Sequence, residues 1–138
     1  MLKRTGEPII NYDEASDTLY VSFISGKKAT GIELNDHILL RIDKKMGQAI
    51  GLTFFDYSLL AQKTEMGLRS FPLSGLDELS KNARITVLQI LQSEPVASFL
   101  NLSVFTPSFN EMMPITTLSS RRVLETAVAE SRAEYKVE

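Results

Sequence analysis

Between residues 8 and 55, apolar and polar side chains alternate with a period of two. Over residues 18–24, Leu19, Val21 and Phe23 point one way, while Tyr20, Ser22 and Ile24 point the other. Ile38, Leu40 and Ile42 oppose Leu39, Arg41 and Asp43 in the same manner, and Ile50, Leu52 and Phe54 oppose Gly51, Thr53 and Phe55. A strand sends successive side chains to opposite faces. An apolar set beside a mixed one is therefore the pattern of an antiparallel sheet covered on one side. Shorter stretches at residues 8–12 and 29–34 predict two further strands. The segments between them, residues 13–17, 25–28, 35–37 and 43–47, are rich in turn formers, and Gly26 and Gly47 supply positive φ. Five strands joined by such short loops predict a β-meander.

Beyond residue 55 the period changes. Asp56 can cap a short helix over residues 56–63, with Leu59 and Leu60 on it. Gly67 and the Phe71-Pro72 pair then punctuate the chain. Ser74-Gly75-Leu76-Asp77 has the spacing of a capping box, a hydroxyl followed three residues later by an acid. Leu76, Leu79, Ala83, Val87, Ile90 and Leu91 recur at helical spacing and predict a helix of about four turns lying on the sheet. Pro95 ends it and opens a helical turn over residues 96–99. Leu102, Val104 and Phe105 alternate as a strand that Pro107 stops. Met112, Met113, Pro114 and Ile115 suggest an extended segment packed on something. Ser120 can cap a last helix running to about Tyr135, with Val123, Leu124, Ala127 and Val128 on one stripe. The predicted class is α+β: an antiparallel β-meander of about five strands covered by a helix, with a C-terminal helical and irregular extension. Residues 1–64 form the meander and residues 65–138 the extension, which packs on the sheet or on a second subunit; the two make one structural domain.

Particular residues carry a family resemblance. Ile10-Asn11-Tyr12-Asp13, Asp17-Thr18-Leu19-Tyr20-Val21, Ile38-Leu39-Leu40-Arg41-Ile42-Asp43, and Gly47 with Ile50-Gly51-Leu52 occur in this order. Over residues 8–60 they resemble the bacterial family catalogued as domain of unknown function 2283, whose members open with a "YD…aD.LYi" strand pair and close with a "D..G.ivGieI" hairpin. Thr53 stands where that family usually has an acid, and His37 where it usually has glycine. The segments FPLSGL at residues 71–76 and MPIT at residues 113–116 are similar to extended versions of the family from photosynthetic bacteria. The resemblance implies a small sheet packed by a helix, and brings no catalytic residue or cofactor with it.

Composition narrows the chemistry. The 138 residues are 43% hydrophobic and 23% charged, the balance of a globular chain rather than a disordered one. Net charge is −2; residues 1–60 carry 7 basic and 8 acidic side chains, and residues 61–138 carry 8 and 9. Neither part is basic, so no nucleic-acid surface is expected. The absence of cysteine removes disulfides, thiol nucleophiles and thiolate metal sites, and one histidine leaves no zinc cage of the usual kind. No apolar run has the length of a membrane span, and the first residues lack the apolar core of a signal peptide, so a cytoplasmic location away from membranes is expected.

The candidate chemistry is sparse. Asp13, Glu14 and Asp17 share one loop and could chelate a hard cation through oxygen ligands. Asp and Ser also fold such loops by bonding nearby backbone N–H groups, which is the reading the turn composition favours. His37 could act as a general base if a serine or carboxylate approached it, but beside Asp36 in a turn it reads as a solvated loop residue. No serine sits in a nucleophile elbow, and Gly26-Lys27 lacks the flanking residues of a phosphate loop. No catalytic, cofactor-binding or metal-binding residue is therefore assigned, and no cofactor is expected. Phe99, Leu102, Val104, Phe105, Phe109, Met112 and Met113 form an apolar surplus of the types enriched at interface cores. They predict either a fold-back over the chain's own sheet or an arm exchanged with a second subunit in a two-fold homodimer. The expected function is a non-enzymatic homodimeric protein-interaction module with a small protein as further partner. By resemblance, its specific version is an antitoxin-like inhibitor of a small toxin-like protein. The alternative is a small hydrolase or ligand-binding protein using loop carboxylates.

Overall fold

The computed structural model describes residues 7–118, so the helix predicted from Ser120 lies outside the described residues. The chain begins with five strands: β1 (Ile9–Asp13), β2 (Thr18–Ser22), β3 (Thr30–Glu33), β4 (Ile38–Asp43) and β5 (Gln48–Phe55). A short helix α1 (Tyr57–Leu60) follows, then the two-residue strands β6 (Lys63–Thr64), β7 (Gly67–Leu68) and β8 (Phe71–Pro72). A 3₁₀ turn (Ser74–Glu78), the helix α2 (Lys81–Leu91) and a second 3₁₀ turn (Val96–Ser98) lead to β9 (Leu100–Ser108) and β10 (Glu111–Leu118).

The first five strands pair antiparallel throughout, but in the order β1-β2-β5-β4-β3. A continuous meander was expected; instead β2 pairs with β5, and the segment after Ser22 carries the chain to the far edge. A physical clamp holds that crossing. Lys27, on the crossing segment, reaches the Asp43 carboxylate at 2.8 Å, and Asp43 also accepts the N–H groups of Lys45 and Met46 in the β4–β5 turn. The crossing segment is only seven residues long against four in each hairpin turn of this sheet, a small difference on which to tell the two kinds of connection apart.

The alternation places Tyr12, Leu19, Val21, Ile38, Leu40, Leu52 and Phe54 in one buried cluster. One position departs from it. Arg41 opposes Gly51 while Ile42 opposes Ala49, so Ile50 is the extra residue of a β-bulge. The bulge shifts the period, and Ala49 rather than Ile50 joins the cluster. The Ile50 carbonyl accepts the N–H groups of Phe23 and Ile24, at 2.8 and 3.3 Å, where the chain leaves β2. Val87, Ile90 and Leu91 of α2 belong to the same cluster, as do Leu73, Leu76, Val96, Phe99, Leu100 and Leu118.

The long helix is shorter than its apolar periodicity suggests. Ser80, not Ser74, is its N-cap and accepts the Ala83 N–H at 3.2 Å. Leu79 is extended between the two helical pieces, with ψ 153°. The reason is tertiary. The Gly75 N–H donates to the Leu34 carbonyl at 2.8 Å, and a Cβ on Gly75 would lie 1.8 Å from the Glu33 carbonyl oxygen. The 3₁₀ turn is thus held to the end of β3, out of line with α2, and the Arg84 guanidinium bridges the break by donating to the Leu76 carbonyl.

Residues 100–118 are more regular than the strand and extended segment that the sequence suggests. They form an antiparallel hairpin, completed by β8 into a three-stranded sheet of order β8-β10-β9. Two prolines fit because neither position needs a donor. Pro107 lies in the bulge between the Phe105–Met113 and Ser108–Glu111 pairs. The Pro114 carbonyl accepts the Leu73 N–H, so the ring nitrogen faces β8 as well. The Leu73 carbonyl that a donor there would have met is taken by the Leu76 N–H.

Candidate functional site

The loop acids and the histidine gather at one end of the five-stranded sheet, where Asp13 and Asp17 are engaged in holding the fold. Asp17, at φ 55°, accepts from the Tyr12 hydroxyl at 2.7 Å, the Ser58 hydroxyl at 3.0 Å and the Ser58 N–H at 3.1 Å. Its carbonyl accepts the Tyr57 N–H at 2.9 Å. Asp17 therefore satisfies the first donors of α1, the role that sequence spacing gave to Asp56. Asp56 precedes α1 in a left-handed conformation and makes no side-chain cap. Its carboxylate instead lies 3.1 Å from His37 Nδ1, at ion-pair distance but without hydrogen-bond alignment. The Asp13 carboxylate accepts the Ser16 hydroxyl at 2.7 Å, and Glu14 is exposed with its carbonyl accepting the Asp17 N–H.

Hydrolysis would need a nucleophile beside a base. The Ser58 hydroxyl in this cluster donates to Asp17, and the partner of His37 is a carboxylate. Among the described residues, no group of three or more His, Cys, Asp or Glu side chains could hold a metal ion. Two surface clefts lie elsewhere. One, of about 340 Å³, lies between Phe23, Gln48 and Ala49 on one side and Gln89, Ile90 and Pro95 on the other. The second, of about 440 Å³, flanks β3 and the first 3₁₀ turn, with Glu33, Asp36 and Glu78 along it. Neither is lined by Asp13, Asp17 or His37. Thr53 is buried in the central strand, opposite Tyr20 and Leu39.

The apolar surplus divides in two. Phe99 and Leu100 are core residues, and Leu102 packs half-buried against them. Past Leu102 the hairpin runs out into solvent: Val104 is 57% exposed, Phe105 50%, Met112 75% and Phe109 fully. Met113, across from Phe105, is 39% exposed. From Leu100 to Leu118 the only charged side chain is Glu111. A solvent-exposed apolar stretch of this extent is the usual mark of a contact surface. The sequence signal for it is the aromatic and methionine content; the alternation of Leu102, Val104 and Phe105 shows one strand of the hairpin that displays it, but not the pairing with the second.

Among the described residues no helix is long and apolar enough to cross a membrane. No curated protein and no solved structure matches the chain. A family model does match: it runs over residues 9–58, from the first residue of β1 to the serine inside α1 that Asp17 holds. Residues 9–58 are thus similar to the family described as Protein of unknown function (DUF2283), and in this chain that stretch holds the five-stranded sheet and the start of α1.

Proposed function

We propose that the protein is a non-enzymatic interaction module that works as a homodimer and makes contact through the β9–β10 hairpin. The observation that carries this reading is the exposure of Val104, Phe105, Phe109 and Met112 on a hairpin with one charge. Burying such side chains against a partner is favourable by roughly 25 cal/mol per Å² of apolar surface, less the cost of association. In this reading the five-stranded sheet, with α2 as the layer over it, is the base that fixes the arm, and the site of action is the cytoplasm. A further small protein partner is also part of the reading. The acidic cleft along Glu33, Asp36 and Glu78 supports a basic one, which is the chemistry an antitoxin-like inhibitor would require.

The test is Phe105→Asp, which places a charge on the exposed arm and leaves the buried cluster untouched. Light scattering is expected to show the dimer mass for the wild type and the monomer mass for the variant, with the melting temperature changed little. A variant that keeps the dimer mass removes the arm from the contact surface.

A further inference from the structure

We propose that two copies of this chain join edge to edge through β9, in antiparallel register about a two-fold axis at Ser103, so that two three-stranded sheets become one. The proposal rests on the arm reading above and names both the partner and the groups that bind it.

The ladder shows which groups are free to pair. The Pro114 polar groups face β8, so its neighbours Met113 and Ile115 bond in the other direction, to Phe105 and Ser103 of β9. In an antiparallel ladder the direction alternates along the strand. Leu102 and Val104 therefore turn their N–H and C=O groups away from β10, to the outer edge of the sheet. Edge strands are ordinarily guarded by charges, by proline or by brevity. β1 ends in Asp13, and β3 is four residues long, carries Glu33 and has Gly75 against the Glu33 carbonyl. Of the described edge strands longer than two residues, β9 is the one with no charged side chain. Two such strands can face each other without like charges meeting, a condition any self-pairing edge must satisfy.

Proline bounds the register on one side and the start of β9 at Leu100 on the other. An axis at Ser103 pairs residues 100–106 of one copy with residues 106–100 of the other and leaves Pro107 outside the ladder. Moving the axis one residue outward would bring Pro107 into it. With the axis at Ser103, Leu102 of each copy and Val104 of the other exchange main-chain hydrogen bonds. The two Ser103 side chains form the close pair between them, with Cβ atoms about 4.5–5.5 Å apart. Within that ladder Val104, 57% exposed, comes to lie beside Leu102 of the other copy, and Phe105, 50% exposed, beside its Asn101.

Three variants of the full chain test this. Val104→Pro removes a donor from the outer edge and none from the β9–β10 ladder, so it is expected to give the monomer mass with the fold retained. The chain has no cysteine, so Ser103→Cys is expected to form a single covalent dimer on mild oxidation, while Phe109→Cys at the hairpin tip is not. If Val104→Pro keeps the dimer mass, or Ser103→Cys forms no covalent dimer, the edge pairing is overturned. The arm reading still stands in that case, provided Phe105→Asp gives a monomer. A wild-type chain that is itself monomeric sinks both. Should Val104→Pro fail to fold, the cysteine pair decides alone.

Discussion

Asp17 and Asp43 look alike in the sequence, each an acid in a turn, and the structure gives them different work. Asp17 binds a helix that begins forty residues later, so it ties the β1–β2 turn to the end of β5. Asp43 serves its own turn and the crossing segment together. Its hydrogen bond from Lys27, aided by the N–H groups of Met46 and Lys45 and by the Lys27 charge, holds its carboxyl below the ordinary 3.8. A carboxyl whose pKa is lowered by folding stabilises the native state above the unfolded value. That contribution fades as the pH falls through the lower folded value. Asp43→Asn is therefore expected to melt below the wild type at neutral pH, with the gap closing below about pH 3.8. Melting curves taken down to about pH 2 check this, and a gap that stays constant over the range would refute it.

At the scale of elements, what was legible followed from period. Strands announce themselves locally, because apolar residues at every second position need no knowledge of their partners. The limits of α2 were not local. The spacing from Leu76 to Leu91 fits one helix, yet the chain breaks at Leu79 because Gly75 is needed against Glu33 and Leu34. Gly75→Ala is expected to cost roughly 1–3 kcal/mol, since the new methyl meets backbone atoms that cannot move aside. Thermal or denaturant unfolding measures it, and an unchanged midpoint would mean the 3₁₀ turn does not set where the helix begins. The hairpin is legible only in pieces for a related reason. Pro107 reads as a stop in the sequence, and both prolines are harmless only because of what lies beside them.

For the whole molecule, the hairpin is half core and half surface, and two neighbouring substitutions should separate the halves. Leu102→Asp puts a charge among partly buried apolar side chains and is expected to destabilise by about 2 kcal/mol or more. Phe105→Asp should leave the melting temperature close to that of the wild type and act on assembly alone. Equal losses of stability would show that the arm packs on its own chain. The sequence by itself determined the strands, the turns between them, the absence of thiol chemistry and the likeness of residues 9–58 to a known family. All of these depend on residue identity and short-range spacing. Only the tertiary structure decided that β2 joins β5, that Asp17 rather than Asp56 caps α1, and that Phe99 is core while Phe105 is exposed. Each of these is a choice among partners far apart in the chain. The energy that makes the choice, shared burial and paired donors, belongs to the pair and is written in neither residue alone.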